Sequence, residues 1–132
     1  MFEPKRSRRL GLPIFVAVLA LTGCGKQHGS EQARLEPNGD QTITVDAHDI
    51  AYRPKTISVE PHGEVAVTVR NKGKLRHTFT TDTPAGDVVL EPGDSRTVRF
   101  PANAPVQFFC RFHEASGMRG SLCPAEGECR SA

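Results

Sequence analysis

A short stretch near the C-terminus, "FFCRFHEASGM", places a cysteine, a histidine and a methionine in one loop, as Cys110, His113 and Met118. A thiolate, an imidazole and a thioether form a ligand set that suits a copper ion cycling between Cu(I) and Cu(II). A fourth ligand should come from a neighbouring strand, and His77 is the candidate because it lies between the turn "NKGKLR" and the strand-like "TFT". The single cysteine of the loop indicates a site for one copper ion.

The other histidines fit such a site less well. His28 lies in a polar segment, His48 just follows an alternating segment, and His62 lies in the turn "EPHGE", where a solvated imidazole is ordinary. Taken alone, His77 would be interpreted as a surface or capping histidine. Its combination with the Cys110 loop favours the interpretation as a ligand.

Two further cysteines, Cys123 and Cys129, follow in "CPAEGEC". In an exported protein they would close a small disulfide loop. Two alternatives stay open, namely a zinc site that joins them to Cys110 and His113, and a pair of thiols that binds or relays copper. The zinc site would leave Met118 and the turn before His77 unexplained, because zinc has no use for a thioether.

The segments that must position these residues alternate apolar and polar side chains, as half-buried β-strands do. This alternation is seen in "TITVDA", "TISVE", "EVAVTVRN", "HTFT", "DVVLE", "SRTVRF" and "VQFFC", which are separated by turns rich in glycine and proline. No segment has a helical period longer than one or two turns. The pattern predicts an all-β sandwich of about seven or eight strands.

The N-terminal segment predicts export. Residues 1–23 combine a basic start with a short apolar run, which is typical of a signal peptide. The run ends in "LTGC", which resembles a bacterial lipobox, so that Cys24 would be lipidated and would begin the mature chain. An ordinary signal peptide with a chance cysteine is the alternative, and "SRRLGL" leaves twin-arginine export open beside the general route. Residues 24–40 are predicted to form the lipidated cysteine and a flexible tether, and residues 41–132 one domain with a cysteine-containing tail.

The excess of basic over acidic side chains in the whole chain comes from this export segment. The net charge is +2. Removal of residues 1–23, which carry four basic side chains and one acidic side chain, leaves a mature chain with a charge of about −1. The charge therefore gives no reason to expect a nucleic-acid partner.

Nearly the whole domain resembles the cupredoxins, and among them the plastocyanin-like small blue (type 1) copper proteins. The matching stretches, from about Thr42 to Leu122, are "VTVRNKGKLRHTF", "LEPGDSRTVRF", "FFC" and "CRFHEASGMRGSL", and Cys-x2-His-x4-Met is the plastocyanin spacing. The resemblance implies a cupredoxin-like Greek-key β-sandwich. It also implies that three residues form a near-trigonal copper plane and one binds axially. The planar ligands would be His77, Cys110 and His113, and the axial ligand Met118.

Two positions beside the ligands depart from the family pattern. Thr78 stands where plastocyanins usually have asparagine, and its hydroxyl would only partly replace the amide that ties the two ligand loops together. Phe112 stands where they commonly have proline. Because phenylalanine keeps its backbone N–H, Phe112 would donate to the Cys110 sulfur, stabilise Cu(I) and raise the reduction potential.

Together these features predict an exported bacterial lipoprotein that carries single electrons between a redox donor and a redox acceptor, without being an enzyme. Its anchor at Cys24 would hold it on the extracytoplasmic face of a membrane, in the periplasm or at the cell surface. A copper-handling protein, such as a chaperone or resistance protein, is the alternative function. A structural β-sandwich without a redox role is a third.

Overall fold

The computed structural model describes residues 29–124, which form eleven β-strands and one short 3-10 helix, Glu114–Ser116. In chain order the strands are β1 (Ser30–Gln32), β2 (Arg34–Leu35), β3 (Gln41–His48), β4 (Ala51–Arg53), β5 (Thr56–Ser58), β6 (Glu64–Asn71), β7 (His77–Thr81), β8 (Asp87–Leu90), β9 (Ser95–Pro101), β10 (Val106–Phe109) and β11 (Arg119–Cys123). Within these residues no helix is both long and apolar enough to span a bilayer.

The strands form two sheets, and the predicted all-β sandwich is confirmed. The first sheet has the order β1-β5-β11-β10-β7-β8, and the second has the order β2-β3-β6-β9, with β4 paired to β3. Most neighbours are antiparallel, but β3 runs parallel to β6, and β5 runs parallel to both β1 and β11. The chain passes between the sheets several times, so strands that are distant in sequence lie side by side.

The alternation in the sequence explains the interior of the sandwich. In β3 the inward-facing Ile43 and Val45 are buried, and in β6 Val65, Val67 and Val69 are completely covered. Successive side chains of a strand point to opposite faces, so these residues line one face of their sheet. Burial of such aliphatic side chains is the main force that holds the two sheets together.

Four strands, β1, β2, β4 and β11, were not predicted. They are short or polar, and an edge strand such as β1 has too few buried positions to produce an apolar alternation. β1 and β2 also correct the predicted tether, because residues 30–35 add one strand to each sheet while Ala33 between them is buried. The domain therefore begins before residue 41. Residues 24–28 of the predicted tether lie outside the described residues.

A cluster of aromatic rings fills the sandwich beneath one end of the first sheet. Phe79 of β7 stacks on Phe108 of β10 with ring centroids 4.8 Å apart, and Tyr52 of β4 meets both rings edge-on. The Tyr52 hydroxyl donates a hydrogen bond to the carbonyl of Thr78. Burial, and then the nearby Cys110, raise the pKa of Tyr52 well above its usual value, so the phenol keeps its proton. The cluster thus fixes β4, β7 and β10 relative to one another.

The turn between β3 and β4 contains a strained residue. Ile50 has a φ of +67°, a left-handed conformation that is costly for a β-branched side chain, and it is about half exposed. Replacing Ile50 with glycine is expected to raise the free energy of unfolding by about 1 kcal/mol, because glycine adopts this conformation without a Cβ clash. Urea unfolding measures the change. Ile50→Val keeps the β-branch and serves as the control, and an Ile50→Gly protein less stable than the wild type would contradict the expectation.

Candidate metal centre

The predicted ligands gather at one end of the first sheet. His77 is the first residue of β7, and Cys110 directly follows β10. β7 and β10 are antiparallel neighbours, with Phe109 opposite Thr80, so the start of one strand lies beside the end of the other. His113 and Met118 lie in the connection from β10 to β11. The pairing of the two strands therefore brings together residues that are 33 positions apart.

Three donor atoms face one another at this end of the sandwich. The Cys110 Sγ lies 3.8 Å from His77 Nδ1 and 3.4 Å from His113 Nδ1, and the ligand atoms of these three residues all lie within 4.8 Å of one another. Donors that surround one ion in a plane, with bonds of about 2.0 Å to nitrogen and 2.3 Å to sulfur, would be roughly 3.7 Å apart. The arrangement therefore fits a single metal ion.

Burial prepares the donors for a metal. Cys110 and His77 are fully buried, whereas His113 remains partly exposed. Burial, and then the charge of His113, lower the pKa of His77 below its usual value. Both effects favour the uncharged imidazole, which is the form that binds a metal.

Met118 is held in the same loop by its backbone. Its carbonyl accepts a hydrogen bond of 3.0 Å from the Cys110 N–H, and its own N–H donates to the His113 carbonyl at 3.2 Å. The His113 N–H in turn donates to the Cys110 carbonyl at 3.1 Å. Gly117, with a φ of +76°, makes the reversal that precedes Met118. The Met118 side chain is fully buried, and two backbone hydrogen bonds tie the Met118 main chain to Cys110 and His113.

Thr78 links the two segments that carry the ligands. Its N–H donates to the Cys110 sulfur at 3.4 Å, and its hydroxyl accepts a hydrogen bond of 2.8 Å from the Arg111 N–H. The N–H that donates to the sulfur was predicted to be that of Phe112, and the structure corrects this to Thr78. The Phe112 ring instead is about half exposed, with the Arg76 guanidinium 4.8 Å from its centroid. This donor is a backbone N–H, and its position depends on the pairing of the strands. The residue types in the sequence therefore did not identify it.

Asn71 is a buried residue whose role the sequence analysis missed. Its side-chain nitrogen donates to the carbonyls of Leu75 and Leu90 at 2.8 and 3.0 Å, and its side-chain oxygen accepts from the Gly73 N–H at 2.9 Å. The available signal was the Asn-x-Gly turn in "RNKGK". These bonds fix the loop that leads from β6 to His77.

The remaining predicted residues lie apart from this group. His62 is exposed and His48 ends β3, while His28, Cys24 and Cys129 lie outside the described residues. Cys123 is disulfide-bonded and Cys110 is free. A disulfide sulfur is not a thiolate ligand, which argues against a zinc site that includes Cys123. The pairing of Cys123 with Cys129 stays a prediction.

Comparisons with known proteins agree with this architecture. Residues 13–123 match the model of the cupredoxin-like domain. Among solved structures, the metal-binding domain of the Cu(I)-exporting P-type ATPase CopA of Streptococcus pneumoniae D39, with Cu(I), is similar with a TM-score of 0.63 and 18% identity over 75% of this chain and 98% of that chain. Dithionite-reduced auracyanin from Roseiflexus castenholzii gives 0.52 and 21% over 62% of this chain and 94% of that one.

A multicopper oxidase is also similar, with a TM-score of 0.55 and 19% identity over 73% of this chain and 47% of that chain. A comparison with curated proteins gave no match. At these identities the solved structures bear on the fold alone. The family model, by contrast, spans most of the sequence, including all four predicted ligands. The chain belongs to the cupredoxin-like family.

Proposed function

We propose that this protein is a mononuclear type 1 copper protein that carries single electrons. The observation that carries the proposal is the group of the buried His77 and Cys110 and the partly exposed His113, whose ligand atoms lie within 4.8 Å of one another. The buried Met118 is part of the same loop. A thiolate, two imidazoles and a thioether match the preferences of copper in both oxidation states better than those of zinc, calcium or magnesium.

A copper ion held by these residues would supply a one-electron couple. The chain's own contribution is to keep the donors in place in both oxidation states. The hydrogen bond from Thr78 N–H stabilises the charge on the Cys110 sulfur, and the Thr78 hydroxyl keeps the Cys110 loop against β7. Four protein ligands leave no open position for a substrate or for water, so the proposed role is that of a carrier and not of an enzyme.

His113 is the proposed route for electrons. It is the partly exposed residue of the three. Two exposed apolar side chains are near it: Phe112 precedes it in the chain, and Leu75 lies in the loop that leads to His77. A small apolar surface suits the brief encounters of redox proteins. Two arginines close to it have acidic neighbours, since Arg111 lies 3.2 Å from Asp87 and Arg76 lies 3.7 Å from Glu91. The partners proposed for this surface are a redox donor and a redox acceptor.

The proposed location follows from the N-terminal sequence. A lipid on Cys24 would anchor the domain to the extracytoplasmic face of a bacterial membrane, facing the periplasm or the cell exterior. Mass spectrometry of protein from a membrane fraction tests this, because a diacylglyceryl group on Cys24 is expected. An unmodified Cys24 in soluble, secreted protein would contradict it.

Copper handling is the second candidate, and one observation favours it. The fold is similar to the metal-binding domain of a Cu(I)-exporting ATPase solved with Cu(I). A domain that delivers copper releases Cu(I) readily to an acceptor, whereas an electron carrier retains copper in both oxidation states. The burial of His77 and Cys110 favours retention. Competition with a Cu(I) chelator during repeated oxidation and reduction separates the two candidates.

The decisive experiment adds Cu(II) to the lipid-free protein lacking residues 1–23 and records visible absorption and electron paramagnetic resonance spectra. An intense thiolate-to-copper charge-transfer band with a narrow copper hyperfine splitting is expected, because Cys110 would be a direct ligand. Copper bound without this band would overturn the proposal. Preferential binding of zinc by a colourless protein would also overturn it.

A further inference from the structure

The outer nitrogen of His77 is in an unusual situation. The imidazole directs its Nδ1 towards the Cys110 sulfur, while its Nε2 is completely buried. Among residues 29–124, this Nε2 is the one buried side-chain nitrogen or oxygen that has no hydrogen-bond partner. When Nδ1 of a neutral imidazole binds a metal, Nε2 carries the proton. A buried N–H without an acceptor costs about 1–3 kcal/mol, so an acceptor is needed here.

Asp49 is placed to supply that acceptor. Its Oδ1 lies 3.7 Å from His77 Nε2, about 0.5 to 1 Å beyond a normal hydrogen bond. The same oxygen accepts hydrogen bonds from the N–H groups of Lys74 and Leu75, at 2.8 and 3.1 Å. Two backbone donors on one oxygen hold the carboxylate in this position. Asp49 thereby connects the turn between β3 and β4 to the loop that precedes His77.

Two backbone features make room for this carboxylate and hold it there. A Cβ at Gly73 would collide with the Asp49 carboxylate, so the close approach of the two loops requires glycine. Ile50, the residue after Asp49, keeps its strained left-handed conformation. Strain of this kind persists where the surroundings enforce it and is concentrated at functional sites. Both features restrict the position of Asp49.

We propose that Asp49 is the positioning residue of His77, accepting its Nε2–H when Nδ1 binds the metal and placing a negative charge behind the ring, on the side away from the ion. The inference rests on the proposed copper site and adds a residue to it. A carboxylate behind a ligating histidine fixes the ring and increases its basicity. Because Cu(II) carries more charge than Cu(I), the carboxylate stabilises the oxidised state more and lowers the reduction potential.

Two substitutions separate position from charge. Asp49→Ala removes the acceptor and the charge, and it is expected to reduce Cu(II) affinity by about 10- to 100-fold. Asp49→Asn keeps an acceptor oxygen and removes only the charge, so His77 should stay in place while the potential rises. A tenfold loss of Cu(II) affinity relative to Cu(I) corresponds to a rise of about 59 mV for one electron. Glu64→Gln, at the far end of β6, removes one exposed negative charge and serves as the control.

A second measurement does not depend on redox chemistry. In the Zn²⁺-loaded protein, the nuclear magnetic resonance signal of the His77 Nε2–H should exchange slowly with water in the wild type and in Asp49→Asn, but quickly in Asp49→Ala. Equal exchange and equal potentials in all these proteins would overturn the role of Asp49 even if the protein has the blue charge-transfer band. If that band is absent but exchange differs as expected, the copper assignment fails and the positioning role of Asp49 stands.

Discussion

Replacing Cys110 with serine is expected to abolish the intense visible absorption of the copper-loaded protein. The band is a charge transfer from thiolate to copper, and a hydroxyl has no comparable donor orbital. Copper affinity should fall by on the order of a hundredfold or more, because a soft and fully buried thiolate ligand is lost. Absorption spectroscopy and competition with a chelator measure the two effects.

The control substitution is made at a histidine that lies outside the group of His77, Cys110 and His113. His62 is exposed and its side chain lies apart from the three donors, so His62→Gln should keep both the band and the affinity. His77→Gln should weaken copper binding while the thiolate remains. An undiminished band in Cys110→Ser would place the sulfur ligand elsewhere and contradict the proposed centre.

Replacing Asn71 with alanine is expected to lower the free energy of unfolding of the metal-free protein by about 3 kcal/mol. The amide makes three hydrogen bonds to buried or partly buried backbone groups of Gly73, Leu75 and Leu90. Alanine would remove these three bonds, leaving the Gly73 N–H only its 3.2 Å bond to the Ala47 carbonyl, and would also leave a small cavity. Because the same bonds fix the loop before His77, copper affinity should fall as well. Urea unfolding and copper titration measure the two changes.

Asn38→Ala is the control for this substitution. Asn38 also makes side-chain hydrogen bonds, to Asp40, but in an exposed turn where water replaces the lost partner. Its loss should change the free energy of unfolding by less than about 0.5 kcal/mol. Equal effects of the two substitutions would show that the Asn71 bonds contribute no more than those of an exposed turn.

The sequence was most informative where chemistry or periodicity restricts the residue types. Cys110, His113 and Met118 are close together in the chain, and their combination suits few metals, so the candidate ligands could be identified from spacing. The alternation of valine with polar residues in "EVAVTVRN" predicted a strand, and β6 covers the same residues. Both signals are local in the sequence, so they can be recognised without knowledge of the tertiary structure.

The remainder depends on contacts that have no local signal. Asp49 comes 28 residues before His77 and looks like an ordinary turn residue, since only folding brings its carboxylate to the imidazole. The residues of β1 and β2 resemble a tether in the sequence, because their exposed side chains give no apolar alternation. Their place in the sheets is determined by backbone pairing with β5 and β3. The donor to the Cys110 sulfur is a main-chain N–H, which every residue except proline possesses.

The early start of the domain limits how far it would travel from a membrane. Ser30, the first residue of β1, lies six positions after Cys24, and even a fully extended chain over six positions reaches only about 20 Å. A domain of this size has a radius of gyration of about 13 Å. With a lipid on Cys24, the protein would therefore move along the bilayer surface within about one molecular diameter of it. Its redox partners would have to present their own centres at that height, and encounters would be a search in two dimensions.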